Sequence, residues 1–517
     1  MKDQTVFIAI AGLILISGCE MARQQKTYLP KESKYQANER YVLTPKAPDA
    51  PRINGAKVFG VRPGSPFLYR IPVTGRRPFK FAAEGLPAGL RLDANSGIIT
   101  GRVDKAGTYN TMLMAINSHG KTQRGFRITA GDTLALTPPM GWNSWYIHYT
   151  RVSDALMRQA ADLMISSGMA DYGYQYVNID DCWMKKRGDE PYRSADGSVL
   201  ANSEFPDMKG LADYIHGKGL KAGLYTSPGP WTCGGYVGSY NHEAVDANTF
   251  GKWGYDFLKY DWCSYVPDKN APLPERFKKP YQQMHDELQK LDRDIVFNLC
   301  QYGMGSVWTW GAQVGNCWRT TGDLGLERSS RLPGFYKVGF SNARHWEYAR
   351  PGAWNDPDYI LIGWVGDANT NGIGKPTTLS ADEQYSYMSM WCLMTAPLIF
   401  SGDMAKLDAF TLNVLCNSEV IDVDQDPLGK QARIIKQEAG EYILLKDMED
   451  GSKAIGLFNT AEEPKAIKVT WEQLGISGKQ KVRDLWRQKN IGKYKGSFEA
   501  AVSPHGVVLI RMYPEKK

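Results

Sequence analysis

From about Met140 to Met404, short apolar runs alternate with amphipathic segments, eight times over. The runs are "MGWNSWY", "YQYVNIDDCW", "LKAGLYTSPG", "DFLKYDWC", "DIVFNLCQYG", "WRTTGD", "AWNDPDYILIG" and "PLIFSGDM". Each is followed by a loop or a helical pattern, such as "FPDMKGLADYIHGKG", "HEAVDANTFGKWG", "PYQQMHDELQKLD" or "ADEQYSYMSMWCLMTA". Repeated strand-then-helix units give parallel strands, because a helical crossover returns the chain to the end where it started. Eight such units fit a closed (β/α)8 barrel better than an open sheet.

The texture differs on either side. Residues 47–131 carry short alternating runs, "PFLYRIPV" and "TYNTMLMAIN" among them, separated by Gly and Pro turns. Past about Gln431 strand patterns return without helices. "EYILLKDMEDGSKAIGLFN" predicts a hairpin turning at Asp450-Gly451. The expected architecture is therefore multidomain: a small β-sandwich at 47–131, the barrel at 132–430, and an antiparallel β-sandwich at 431–517 packed on the barrel.

The first residues read as an export signal. A lysine near the start precedes an apolar stretch from Val6 to Ile16, too short to span a bilayer comfortably. Ile16-Ser17-Gly18-Cys19 follows, which resembles a bacterial lipobox. Residues 1–18 are then a signal peptide, Cys19 carries lipid, and residues 19–46 form a lipidated tether to a membrane. Export also exposes the other seven cysteines to an oxidising compartment. The net charge of +7 is spread along the chain with no basic run, so no nucleic-acid partner is expected.

In a barrel of this kind, functional residues sit at the C-terminal ends of the strands. Those ends read Trp142 and Trp145, Asp180 and Asp181, Lys259 and Asp261, Gln301 and Tyr302, Arg319 and Asp323, then Trp354, Asp356 and Asp358. Lys259 and Asp261 stand two apart on a strand and so share a face. They form a structural ion pair, or they handle a polar ligand together. No Gly-rich phosphate loop and no HExxH motif is present, and the histidines are scattered. A catalytic zinc is not expected, nor is any other cofactor. Carboxylates converging on a neutral polyol suggest glycoside hydrolysis.

"TPPMGWNSW", "YVNIDDCW", "LKYDWC", "WRTTGD", "WNDPDYILIG" and "APLIFSGDM" resemble, in order, the motifs of glycoside hydrolase family 27, the α-galactosidase family. The resemblance runs from about Thr137 to Pro427. It implies a retaining exo-glycosidase acting on terminal α-D-galactosyl residues. It makes Asp261 the nucleophile and Asp323 the acid/base, two groups that a retaining enzyme holds about 5 to 5.5 Å apart. Lys259 becomes a ligand to the sugar hydroxyls, and Asp180 and Asp181 bind the 4- and 6-hydroxyls. Trp142 becomes an aromatic wall beneath the ring, or else a core residue. Arg319 lies near the 2-hydroxyl. Asp358 is a further pocket carboxylate, and Asp356 has a structural reading instead.

Several positions depart from that family. Gln301 stands where many animal members have Glu, at a position that helps read the 2-substituent. Tyr302 replaces a common Trp and Tyr359 a usual Met. The insert "SYVPDKNAPLPERFKK" alters the leaving-group side. The resemblance further implies a Cys233–Cys263 disulfide and leaves Cys182 free, while Cys300 and Cys317 stay open. "GLPAGLRLDANSGIITGRVDKAGTY" resembles the immunoglobulin-like module of secreted bacterial enzymes, implying a spacer between anchor and barrel. Alternatives within the fold are a β-L-arabinopyranosidase or an α-N-acetylgalactosaminidase. Asp181 favours galactose, because a longer acid there would crowd the C6 group. A glycan-binding lipoprotein without catalysis is the alternative from another class; it should have lost Asp261 or Asp323.

Overall fold

A computed structural model describes residues 41–325, 332–367 and 374–514. Cys19, the expected signal peptide and most of the expected tether lie outside the described residues.

Eight parallel strands form the central sheet. They are β1 (Met140–Asn143), β2 (Tyr176–Asn178), β3 (Lys221–Thr226), β4 (Phe257–Asp261), β5 (Val296–Cys300), β6 (Cys317–Arg319), β7 (Trp354–Asp356) and β8 (Leu398–Phe400). Their order is β7-β6-β5-β4-β3-β2-β1-β8. The ring closes just past β7. Ile360 pairs in parallel with Phe400, and its N–H donates to Ile399 O at 2.8 Å. All of the residues of β3 and β4 are buried, as parallel strands covered on both faces require. The register sets Asp261 beside Cys300 and Arg319 beside Asp356, so polar groups at successive strand ends reach one level.

The surrounding helices follow the 3.6-residue period. α1 (Asp154–Ser166) buries Met157, Ala160, Ala161, Met164 and Ile165 along one stripe, and the Ser153 side chain caps its first turn by accepting from the Leu156 N–H. α2 (Met208–His216), α3 (Glu243–Trp253), α4 (Glu275–Gln289) and α5 (Gly334–Ala343) continue round the ring. After β5 the chain forms only two short 3₁₀ turns, at Val307–Thr309 and Gly311–Gln313. α6 (Ala381–Leu393) starts in a Ser380/Glu383 capping box and is buried on every side. The reason is its position between barrel and C-terminal sheet: the Trp486 indole N–H reaches Ser389 Oγ at 2.8 Å, and Ser386 Oγ donates to His505 O at 3.0 Å.

The C-terminal unit is antiparallel. A six-stranded sheet and a two-stranded one enclose Ile443, Leu445, Ile455, Ile467, Val469 and Phe498. The hairpin at Asp450-Gly451 joins Glu441–Asp447 to Lys453–Asn459. One four-residue helix, Trp471–Leu474, interrupts the strands expected to run without helices.

The N-terminal module is a sandwich of four- and three-stranded sheets. It is docked on the barrel. Arg62 forms an ion pair with Asp294 at 2.7 Å and donates to the carbonyls of Gln289, Leu291 and Arg293 beyond the end of α4. Arg77 pairs with Asp171 at 2.6 Å. The Lys221 ammonium, at the start of β3, sits 5.2 Å from the Phe59 ring. The module thus covers the N-terminal mouth of the barrel. Residues 41–46, expected to belong to the tether, lie against the barrel. Thr44 and Asn413 exchange three hydrogen bonds, and Tyr385 donates to Tyr41 O, so the chain is docked from Tyr41 onward.

Candidate active site

Asp180 leaves the end of β2 and is almost completely buried. Its Oδ2 accepts from Lys259 Nζ at 2.8 Å, Asn143 Nδ2 at 2.9 Å and Tyr359 OH at 3.1 Å. Its Oδ1 accepts only the Asp181 N–H, at 3.0 Å. A carboxylate offers about four lone-pair positions, so Oδ1 keeps room for a sugar hydroxyl and Oδ2 does not. The Lys259 ammonium is ringed by Tyr359, Tyr225 and Trp145, with centroids at 5.1, 5.2 and 5.8 Å. Burial works against its charge, but Asp180, with Tyr359, Cys300 and Asp261 added, outweighs it and holds the ammonium well above the usual lysine range. The opening alternatives for Lys259 and Asp261 thus resolve in part: the lysine does pair, but with Asp180.

Asp181 takes the Cys182 N–H on Oδ1 and the Gly234 N–H on Oδ2, each at 2.7 Å. Burial pushes its carboxyl up to about 7 despite these bonds. A Cβ on Gly234 would stand 2.9 Å from Asp181 Oδ2, so the loop after β3 approaches this close only because residue 234 is glycine. The loops after β3 and β4 are joined by the Cys233–Cys263 disulfide. Cys182, Cys300 and Cys317 are free and buried.

Asp261 ends β4 with both carboxylate oxygens held by phenols. Tyr302 OH donates to Oδ1 at 2.6 Å and Tyr225 OH to Oδ2 at 3.0 Å. Burial pushes the Asp261 carboxyl up, and Asp323 and Asp180 add to this; Lys259 and Tyr302 oppose it. Asp261 is 7% exposed. The Asp323 side chain is 57% exposed and accepts from Arg319 Nη1 at 3.2 Å. One carboxyl is thus buried and firmly oriented, and the other stands at the rim in reach of water.

Three expected site residues take other places. Trp142 has no exposed surface; its indole N–H bonds to Gly402 O at 2.8 Å and its ring packs in the core, so it is no open wall. Trp145, at the same strand end, faces Lys259 instead. Gln301 is also fully buried, with Nε2 turned back to Met304 O at 2.9 Å. The chain turns sharply at Tyr302 (φ +66°), and it is the Tyr302 side chain that reaches the nucleophile position. Asp358 (φ +89°) spends Oδ2 on structural partners, Tyr146 OH, the Leu324 N–H and Arg319 at 3.2 Å, while its Oδ1 takes the Tyr359 N–H. It braces Arg319 and the loop bearing Asp323. Asp356 is structural, bonding Asn298 and the Asp358 N–H.

Sequence reading overlooked Asn143, Tyr225 and Tyr146, and gave Tyr302 and Tyr359 no contact with the carboxylates. Tyr225 lies one residue before the end of β3, and its pairing with Lys259 across β3 and β4 is the signal that could have found it.

An eight-stranded barrel with buried, hydrogen-bonded carboxylates at the C-terminal strand ends, and a second carboxylate on the rim, defines a glycoside hydrolase. The chain belongs to the Alpha galactosidase A family, whose model matches residues 137–426. The model for the alpha galactosidase C-terminal beta sandwich domain matches 440–512, and an Ig-domain model matches 50–131. Alpha-galactosidase 2 of Arabidopsis thaliana is 36% identical over 75% of this chain and 93% of its own length. Alpha-galactosidase A of Cellvibrio japonicus is 34% identical over 74% and 93%. A crystal structure from Bacteroides fragilis, described as a candidate alpha-galactosidase/melibiase, superposes with a TM-score of 0.82 at 36% identity, covering 92% of this chain and 99% of that one.

Proposed function

We propose that this chain is a retaining exo-acting α-galactosidase. The observation that carries the reading is the contrast between Asp261, buried with an oriented carboxylate, and Asp323, exposed on an arginine tether. In the first step an Asp261 oxygen attacks C1 of the terminal sugar while Asp323 gives its proton to the departing glycosidic oxygen. The phenols of Tyr225 and Tyr302 fix the attacking group and favour its ionised form. In the second step Asp323 takes a proton from water, the water oxygen attacks C1, and Asp261 is released. The sugar's configuration is inverted twice and so retained. Asp180, Asp181 and Lys259 supply the acceptors and the donor that hold the 4- and 6-hydroxyls.

The test is a parallel assay of p-nitrophenyl α-galactoside, β-L-arabinopyranoside and α-N-acetylgalactosaminide. Preference for the first, with α-galactose as the first-formed sugar in proton NMR, is expected. Preference for either other glycoside, or β-galactose as first product, would overturn the reading.

We further propose that the protein is exported and held at a membrane by lipid on Cys19. Support comes from the N-terminal sequence alone. Cys19→Ala should leave the enzyme in the soluble fraction, unlabelled by fatty acid; membrane retention with label would count against it.

A further inference from the structure

We propose that the loops after β3 and β4 form a sugar-binding platform, built on Tyr240 and Tyr265, for the glycan to which the terminal galactosyl unit is attached. The preferred substrates are then neutral galactosylated oligo- or polysaccharides rather than small galactosides. This deepens the α-galactosidase reading and rests on it.

Five large hydrophobic side chains are notably exposed among the described residues, and three of them fall in these two loops: Tyr240 at 45%, Val266 at 82% and Leu273 at 63%. Exposed apolar surface concentrated beside a site marks something that binds there. The rings are also supported from behind. Tyr240 meets Tyr265 with centroids 6.4 Å apart, Tyr265 leans edge-on against Trp262 at 5.1 Å, and Trp262 stacks on buried Tyr281 at 6.1 Å. The base of the platform is held fast. Ser264 Oγ accepts from the Trp231 N–H at 2.9 Å and donates to Trp231 O at 2.6 Å, next to the Cys233–Cys263 disulfide. A preorganised surface of this kind loses little entropy when a ligand settles on it.

Position decides which part of a substrate it can touch. The groups assigned to the sugar, Asp180, Asp181, Lys259 and Asp261, are all buried, and an exo-acting enzyme brings only the terminal unit to them. Everything beyond that unit must cross the rim. Tyr265 lies four residues past Asp261, which puts its Cα within about 14 Å of the nucleophile's. Chemistry decides the class. The C–H faces of pyranose rings are apolar and weakly electropositive, and they complement the negative face of an aromatic ring. Glu243 and Asp268 act on Tyr265 electrostatically, and negative charge beside the platform disfavours anionic glycans.

The experiment compares wild type, Tyr240→Ala and Tyr240→Ala/Tyr265→Ala on p-nitrophenyl α-galactoside and on a galactosylated manno-oligosaccharide. The expected result is an aryl-galactoside kcat/KM within about 2-fold of wild type, and a fall of about 10-fold on the oligosaccharide, mostly in KM, for the double variant. Tyr240→Ala alone, at an exposed position that leaves Trp262 packed, should show the same split more weakly. Equal losses on both substrates, or none on either, would overturn the platform while leaving the catalytic reading intact. So would a wild-type dimer in sedimentation that Tyr240→Ala dissociates, because the patch would then be a subunit contact. Absence of wild-type cleavage of every α-galactoside would overturn both readings.

Discussion

The Tyr302 hydroxyl donates to Asp261 Oδ1 at 2.6 Å, opposite the bond that Tyr225 makes to Oδ2. Each oxygen of the Asp261 carboxylate thus has its own phenol donor.

Removal of the Tyr302 hydroxyl should be visible in the pH profile. Burial raises the Asp261 carboxyl, and the Tyr302 bond is one of the opposing influences. A hydrogen bond to the charged form favours ionisation; without it the folded-state pKa rises further. Asp261 must be ionised to attack, so the acid limb of kcat/KM should move to higher pH in Tyr302→Phe. A hydrogen bond to a charged group is worth about 1.5 to 3 kcal/mol, enough for the displacement to be measured. An unmoved acid limb would show that the phenol does not tune the nucleophile.

Asp261 and Asp323 should fail differently. Asp261→Gly should be inactive on all galactosides, and azide entering the vacated space should give β-galactosyl azide. Asp323→Gly should still glycosylate Asp261 from substrates with good leaving groups, then stall, because no base activates water. Azide should rescue it as α-galactosyl azide. The anomeric coupling in proton NMR separates the two, and reversed products would exchange the assignments.

Asp180→Asn should lose both activity and stability. Lys259 is boxed by three rings and has Asp180 as its buried ion-pair partner. Removing one member of a buried pair costs about 3 to 5 kcal/mol. Thermal unfolding should fall well below wild type. A near-wild-type Tm with near-normal kcat/KM would remove this pair from both the core and the sugar site.

Arg62→Ala should lower stability without touching catalysis. The residue joins the N-terminal sandwich to the far mouth of the barrel, remote from the strand ends that carry Asp261. Losing a partly buried ion pair and its carbonyl bonds should cost about 2 kcal/mol. Calorimetry should show earlier or separated unfolding, while kcat/KM at low temperature stays within about 2-fold. Equal losses in both would mean that the module shapes the active site.

The barrel was legible because its signal is local and repeated. Each strand is an apolar run bounded by Gly, Pro or Asp, and eight of them in a row leave little choice of topology. The carboxylates were legible for the same reason: strand ends can be counted, and Asp180, Asp181, Lys259, Asp261, Arg319 and Asp323 all fall there. Trp142, Gln301 and Asp358 occupy strand ends too, yet they turn into the core or bind neighbouring loops. A strand end fixes where a residue starts, and packing fixes where its side chain goes.

The sequence by itself therefore determined the order of domains, the parallel ring and the level at which charged residues gather, because periodicity and chain direction are properties of neighbouring residues. Only the tertiary structure decided the partners: Lys259 with Asp180 rather than Asp261, two tyrosines on one nucleophile, and the N-terminal sandwich seated on the barrel through Arg62. Those contacts join residues from 36 to 232 positions apart. Their geometry follows from strand register, loop turns at positive φ and the desolvation of buried charge, which exist only once the barrel has closed.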